Sequence, residues 1–266
     1  MTFGSLFAGI GGIDLGLERA GMRCVWQVEN EPYAARVLEK HWPEVKRYGD
    51  IRGIDWSEVK RPDLVCGGFP CQPVSLAGKG LAQEDERWLW PEFRRCLRDL
   101  RPRYVLVENV PGLLGRGMGD VLGDLASLGY DAEWESIPAA AVGAPHLRYR
   151  VFIVAYAECV RGRESTGDSG SEAESLRSPV WAESSSWARS GSANVADASC
   201  LHAQRQYNGS RQVQLGRSSW WAVEPDVGRV AHGVPSRVDR LRCLGNAVVP
   251  QVAEWVGRRI LEFAGV

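Results

Sequence analysis

The chain has 266 residues, 44 % of them hydrophobic, with 32 lysines and arginines against 33 acids and a net charge of −1. That length fits one α/β domain with a smaller lobe and excludes three ordinary domains. No apolar run reaches the length of a membrane span, and the opening apolar run has no basic flank to mark a secretory signal, so the expectation is a cytoplasmic protein with no membrane partner.

Residues 3–8 have the continuous apolar character of a buried strand and end in glycines. Residues 12–20 follow as a helix, with Ile13, Leu17 and Ala20 on one face. Residues 24–29 predict a second strand and residues 32–40 a second helix. Residues 63–66 predict a strand that feeds the turn 67–73. Residues 87–100 predict a helix, and 104–107 a strand that ends in Glu108-Asn109-Val110-Pro111. A helix at 119–128 and a strand at 150–155 complete an alternation that implies a mostly parallel sheet covered on both faces. Beyond residue 158 the texture changes. Ten serines and few aliphatics fall in 165–192, a composition that cannot bury much surface. Residues 158–204 hold four arginines against seven acids, and residues 205–242 seven arginines against three acids. The second stretch is basic enough to track phosphates, although a solvated surface is the plainer reading. Residues 248–263 regain helical spacing at Val252, Trp255, Val256, Arg259 and Ile260, and are expected to pack back on the first domain.

Two turns carry the candidate chemistry. Phe7-Ala8-Gly9-Ile10-Gly11-Gly12 joins a strand to a helix, where glycine permits positive φ and lets a ligand approach the helix N-terminus. Glu29, at the end of the second strand, suits the two ribose hydroxyls of a nucleoside cofactor, and Asp50 could accept from an adenine amino group. A dinucleotide fingerprint would need glycine at position 14, where Asp14 stands; this counts against NAD and leaves another adenosyl cofactor. A structural turn with an ordinary surface Glu29 is the alternative. In the second turn, Gly67-Gly68-Phe69-Pro70-Cys71-Gln72-Pro73-Val74-Ser75, two prolines fix a loop beyond the carboxyl end of a strand. Ligands bind at that edge of a parallel sheet, so Cys71 is a candidate nucleophile if something favours its thiolate. The other six cysteines (24, 66, 96, 159, 200 and 243) form no CxxC pair, which argues against a disulfide framework or a zinc site and leaves no metal expected.

The Phe7–Gly12 turn, Pro70-Cys71-Gln72, Glu108-Asn109-Val110, Arg148-Tyr149-Arg150 and Gly245-Asn246-Ala247-Val248-Val249-Pro250 occur together and in order. On these motifs the chain resembles the DNA cytosine-5 methyltransferases, particularly compact bacterial or phage members. The resemblance implies a Rossmann-like class I S-adenosylmethionine methyltransferase fold. Its catalytic domain would comprise residues 1–157 and 236–266, with a small irregular target-recognition lobe at 158–235. It implies catalytic roles for Cys71, Glu108, Arg148 and Arg150. It places S-adenosylmethionine against Phe7, Gly9, Gly11, Gly12, Glu29, Asp50, Ile51, Pro70, Asn246 and Val248, and assigns substrate contacts to Gln72, Ser75 and Asn109. The implied partner is double-stranded DNA with the target cytosine flipped out, acted on by a monomer, with a cognate restriction endonuclease as a further candidate. A tRNA cytosine-5 methyltransferase of the same fold and a catalytically inactive DNA-binding relic are the competing readings. Three positions depart from the pattern: His146 in place of a frequent glutamine, Asn30 where an aromatic often follows Glu29, and Val74 in place of a frequent phenylalanine. In the unmatched interval, Trp220, Trp221, Arg205, Arg211, Arg217 and Arg229 could stack on DNA and bind phosphate, or could be core and solvated residues.

Overall fold

The computed structural model describes residues 1–70, 88–157, 180 and 235–266. Cys71, Gln72 and Ser75 lie outside the described residues, as does all of the expected recognition lobe except Val180 and the last residue of the interval. Among the described residues, seven strands form one sheet in the order β3-β2-β1-β4-β5-β7-β6. They are β1 (Thr2–Leu6), β2 (Arg23–Val28), β3 (Lys46–Tyr48), β4 (Leu64–Gly67), β5 (Tyr104–Asn109), β6 (Tyr130–Ile137) and β7 (Arg150–Ala157). The first five pair in parallel, while β7 runs antiparallel to both of its neighbours. The helices are α1 (Gly12–Arg19), α2 (Pro32–His41), α3 (Trp90–Leu100), α4 (Met118–Ser127), α5 (Arg237–Asn246) and α6 (Pro250–Ala264). No helix among the described residues is long and apolar enough to cross a membrane.

The central strands read as unbroken apolar runs because both of their faces are buried. Along β5, Val105 and Val107 join a cluster with Phe93 and Leu97 of α3 and Val121 and Leu125 of α4. The alternate residues Tyr104 and Leu106 join Leu17 of α1 and Val252, Val256 and Ile260 of α6 on the opposite face. Each of these side chains is at most 3 % exposed, and burial of one contributes about 1.5–3 kcal/mol.

The helix over residues 248–263 begins at Pro250 and packs against α1, as its spacing predicts. Two α1 glycines make that approach possible. A Cβ at Gly12 would meet the Val248 carbonyl oxygen at 2.5 Å, and one at Gly16 the Pro250 carbonyl oxygen at 2.4 Å. Three elements had no counterpart in the sequence reading. Strand β3 is three residues long, with an exposed Lys46. Strand β6 lies at the sheet edge, where only Tyr130 and Ile137 are fully buried. Helix α5 buries no residue at all. Strand β3 is too short to show a period, whereas β6 alternates Tyr130, Ala132 and Trp134 with acids and α5 spaces Val238, Leu241 and Leu244 three apart, signals present in the sequence on faces that stay partly or largely exposed.

Candidate active site

The parallel strands place the turns after β1 to β5 at one edge of the sheet. Because β7 runs the other way, its first residue, Arg150, arrives at the same edge. There a cavity of about 520 Å³ is lined by Phe7, Gly9 and Gly12 from the first turn and by Glu29, Asp50 and Ile51 after β2 and β3. Pro70, Glu108, Asn109 and Arg150 line it from the β4, β5 and β7 side, and Asn246 and Val248 from the α5–α6 junction. The geometry thus gathers residues 7 to 248 around one space.

The three glycines of the first turn do different jobs. Gly9, at φ 57°, has nothing within 4 Å of where a Cβ would stand. Gly11, at φ 82°, is absent from the cavity wall; a Cβ there would strike the Trp42 ring at 2.5 Å. Gly12 admits the Val248 backbone. The turn is held by Glu29, whose Oε2 accepts from Gly9 N at 2.7 Å and whose Oε1 accepts from Glu31 N at 2.8 Å. Beneath it, Asp14 is fully buried on α1, accepting from Ser5 Oγ at 2.9 Å and Gln27 Nε2 at 2.8 Å. Burial pushes its carboxyl up to about 6, against the opposing pull of those two hydrogen bonds.

At the other end of the cavity, Glu108 is 8 % exposed, and its Oε1 pairs with Arg150 Nε at 3.0 Å. Burial pushes Glu108 up to about 7, while the Arg150 and Arg148 guanidinium groups pull it back. Gly68 presses its backbone on this carboxyl: a Cβ at Gly68 would stand 2.4 Å from Glu108 Oε2. Asn109 is buried and faces the protein, donating through Nδ2 to Phe69 O at 3.2 Å and accepting from Val110 N at 2.9 Å. It fixes the turn that leads into Pro70. Arg148, at φ 39°, donates through Nη2 to Gly245 O at 2.7 Å and Ala247 O at 2.6 Å, and so clamps the α5–α6 junction to the β7 side of the site. The four cysteines described, at 24, 66, 96 and 243, all have thiols pushed up chiefly by burial, which keeps them protonated.

A family model for C-5 cytosine-specific DNA methylase matches residues 1–222. The type II methyltransferase M.NgoBI of Neisseria gonorrhoeae is 40 % identical over 158 residues, 58 % of this chain and 50 % of its own length. M.BsuFI of Bacillus subtilis, also a type II methyltransferase, is 40 % identical over 162 residues, 59 % of this chain and 39 % of its own length. The chain therefore spans about half the length or less of these curated relatives. Among solved structures, a DNMT2 variant of Spodoptera frugiperda superposes with a TM-score of 0.51 at 24 % identity, over 59 % of this chain and 50 % of that one. The Entamoeba histolytica methyltransferase EhMeth superposes with a TM-score of 0.52 at 19 % identity, over 59 % and 52 %. At those identities the likeness is one of fold, the α/β fold of methyltransferases.

Proposed function

The chain belongs to the C-5 cytosine-specific DNA methylases, and from that membership we propose that it methylates C5 of cytosine in a specific DNA sequence, using S-adenosylmethionine and a covalent bond from Cys71. One observation carries the reading: a single cavity is lined at one end by Gly9, Glu29 and Asp50 and at the other by Pro70, Glu108 and Arg150. Cys71 follows Pro70 directly in the chain.

The first end fits an adenosyl group. Gly9 leaves open space beside its backbone, and each Glu29 oxygen, having accepted one amide, retains a lone pair for a ribose hydroxyl. Glu29 would hold the ribose, Asp50 and Ile51 the adenine, and Phe7, Pro70, Asn246 and Val248 the remainder. When bound, S-adenosylmethionine supplies an electrophilic methyl group. The Cys71 sulfur anion attacks C6 of the cytosine and forms a C–S bond, and the C5–C6 double-bond electrons become available at C5. Glu108, protonated near neutral pH, hydrogen-bonds N3 and stabilises the ring as that charge develops. Arg150 orients the base through O2 while its bond to Glu108 keeps the acid in place. With the methyl carbon bonded to C5 and S-adenosylhomocysteine as the leaving group, loss of the C5 proton to a base would restore the C5–C6 double bond and expel the thiolate. The base must leave the helix to reach this space. Gln72 and Ser75 serve that step from the same loop as Cys71, and residues 158–235 read the target sequence.

Transfer of a tritiated methyl group to duplex DNA, followed by bisulfite sequencing, tests the reading. The expected result is label at a defined sequence, abolished in Cys71→Ala, and a stable adduct with a 5-fluorocytosine duplex. Full-speed transfer by Cys71→Ser would overturn it, and label confined to tRNA would move the substrate to RNA.

A further inference from the structure

Gly49, Asp50, Ile51 and Arg52 line one side of the cavity, at the start of a segment that makes two short turns. Its two three-ten turns, Ile51–Gly53 and Trp56–Glu58, close with backbone hydrogen bonds of 3.2–3.3 Å, longer than the usual 2.9–3.0 Å. Each turn is capped at its start by an aspartate, Asp50 Oδ1 accepting from Arg52 N and Asp55 Oδ1 from Ser57 N, both at 3.0 Å. Here an outside group spans them. Arg95, on α3, donates through Nη2 to Ile51 O at 2.7 Å and through Nη1 to Ile54 O at 2.9 Å. Its guanidinium lies 5.9 Å from the Trp56 ring centroid, and its Nε is anchored by Glu92 Oε2 at 2.7 Å, one helical turn away. A single planar fork thus ties both ends of the first turn to a helix whose Phe93 packs against Phe7 of the glycine turn. Asp50 and Ile51 line the cavity and Arg95 does not.

We infer that Arg95 is a positioning residue for the adenosyl end of the cavity, acting through the Ile51 and Ile54 carbonyls to hold Asp50 and Ile51 in their binding geometry. The inference rests on the proposed adenosyl occupant. Lysine keeps the charge but offers a single ammonium in place of the fork, so it cannot hold both carbonyls in the same plane.

Calorimetric titration of the full chain tests this with two probes, S-adenosylhomocysteine and 5′-methylthioadenosine, the second lacking the amino-acid end. Arg95→Lys should bind both about tenfold more weakly than wild type. Its rate of adduct formation with a 5-fluorocytosine duplex at saturating cofactor should stay within about twofold, because an interaction shared by ground and transition states affects binding alone. With Asp50→Ala added, the double variant should be much less than additively weakened, as expected for groups acting as one unit. Equal affinity of Arg95→Lys and wild type, with or without a lower melting temperature, would overturn the assignment, as would weakening confined to S-adenosylhomocysteine. Wild type binding neither probe would bring down the adenosyl reading as well. Should Arg95→Lys fail to fold, Glu92→Gln removes the guanidinium's other anchor and should weaken both probes to a smaller degree; no weakening there would equally overturn it.

Discussion

Glu108 stands between two opposed effects. Its burial disfavours the charged form, while Arg150 and Arg148 favour it, and the balance leaves the carboxyl near neutrality, about 7. In the proposed mechanism Glu108 donates to the base, so its competent form is available up to that pH and lost above it. The ratio kcat/KM for DNA should accordingly fall about tenfold per pH unit above neutrality. Glu108→Gln, which cannot ionise, should lose that alkaline limb and turn over about a hundredfold more slowly at pH 7. A pH–rate profile of the two proteins checks this, and an unchanged limb in the variant would assign it to another group. The residue types at this site were legible because they sit in short motifs: Glu108 closes an apolar strand and Arg150 opens one. Their partners were not. Nothing local to Asn109 says that it faces Phe69 O, and nothing local to Arg148 says that it reaches residues 245 and 247, nearly a hundred positions on. The Glu92–Arg95 spacing is visible in sequence as an i,i+3 pair, but the carbonyls that Arg95 holds are not.

At the scale of elements, the α1–α6 contact depends on missing side chains. Gly16→Ala would drive a methyl into the Pro250 carbonyl oxygen and the Ala253 Cβ, both backbone-fixed at 2.4–2.5 Å. Chemical denaturation should show a loss of about 1–3 kcal/mol, and cofactor binding should weaken because Val248 shifts with α6. Gly123 supplies the contrast. It lies in the middle of α4 with nothing within 4 Å of where a methyl would stand, so Gly123→Ala should stabilise the fold by about 0.5–1 kcal/mol. Equal signs for the two substitutions would rule out steric packing as the cause of the difference. The elements that sequence reading placed correctly, β1, β2, β4, β5, β7 and five of the helices, all bury an apolar face. Those it missed are edges or bare surface. A period was present in two of these, Tyr130, Ala132 and Trp134 alternating with acids along β6 and Val238, Leu241 and Leu244 recurring three apart along α5, but Trp134 and the three α5 residues are exposed.

For the whole molecule, the two buried acids set how stability responds to pH. Asp14 binds its proton up to about 6 in the folded protein, against 3.8 in an unfolded chain, and Glu108 up to about 7 against 4.5. Between those values the folded state holds more protons than the unfolded one, so stability is fullest below pH 4 in this contribution and declines as pH rises. The advantage of wild type over Asp14→Asn in urea denaturation should therefore shrink by about 2 kcal/mol between pH 4 and pH 6 and level off above about pH 7. A growing advantage would mean that Asp14 is folded as the anion throughout. The same acid that spoils a dinucleotide fingerprint at position 14 is thus a buried strut joining β1, β2 and α1.

The clamp of Arg148 on Gly245 and Ala247, and the seat of Val248 against Gly12, have a consequence for biosynthesis. The glycine turn is synthesised well before the wall that meets it, because most of the chain lies between residues 9–12 and residues 245–248. A chain cut short before α6 lacks Val252, Val256 and Ile260, which share a cluster with the wholly buried Leu17, and one cut short before α5 also lacks the Asn246 and Val248 side of the cavity.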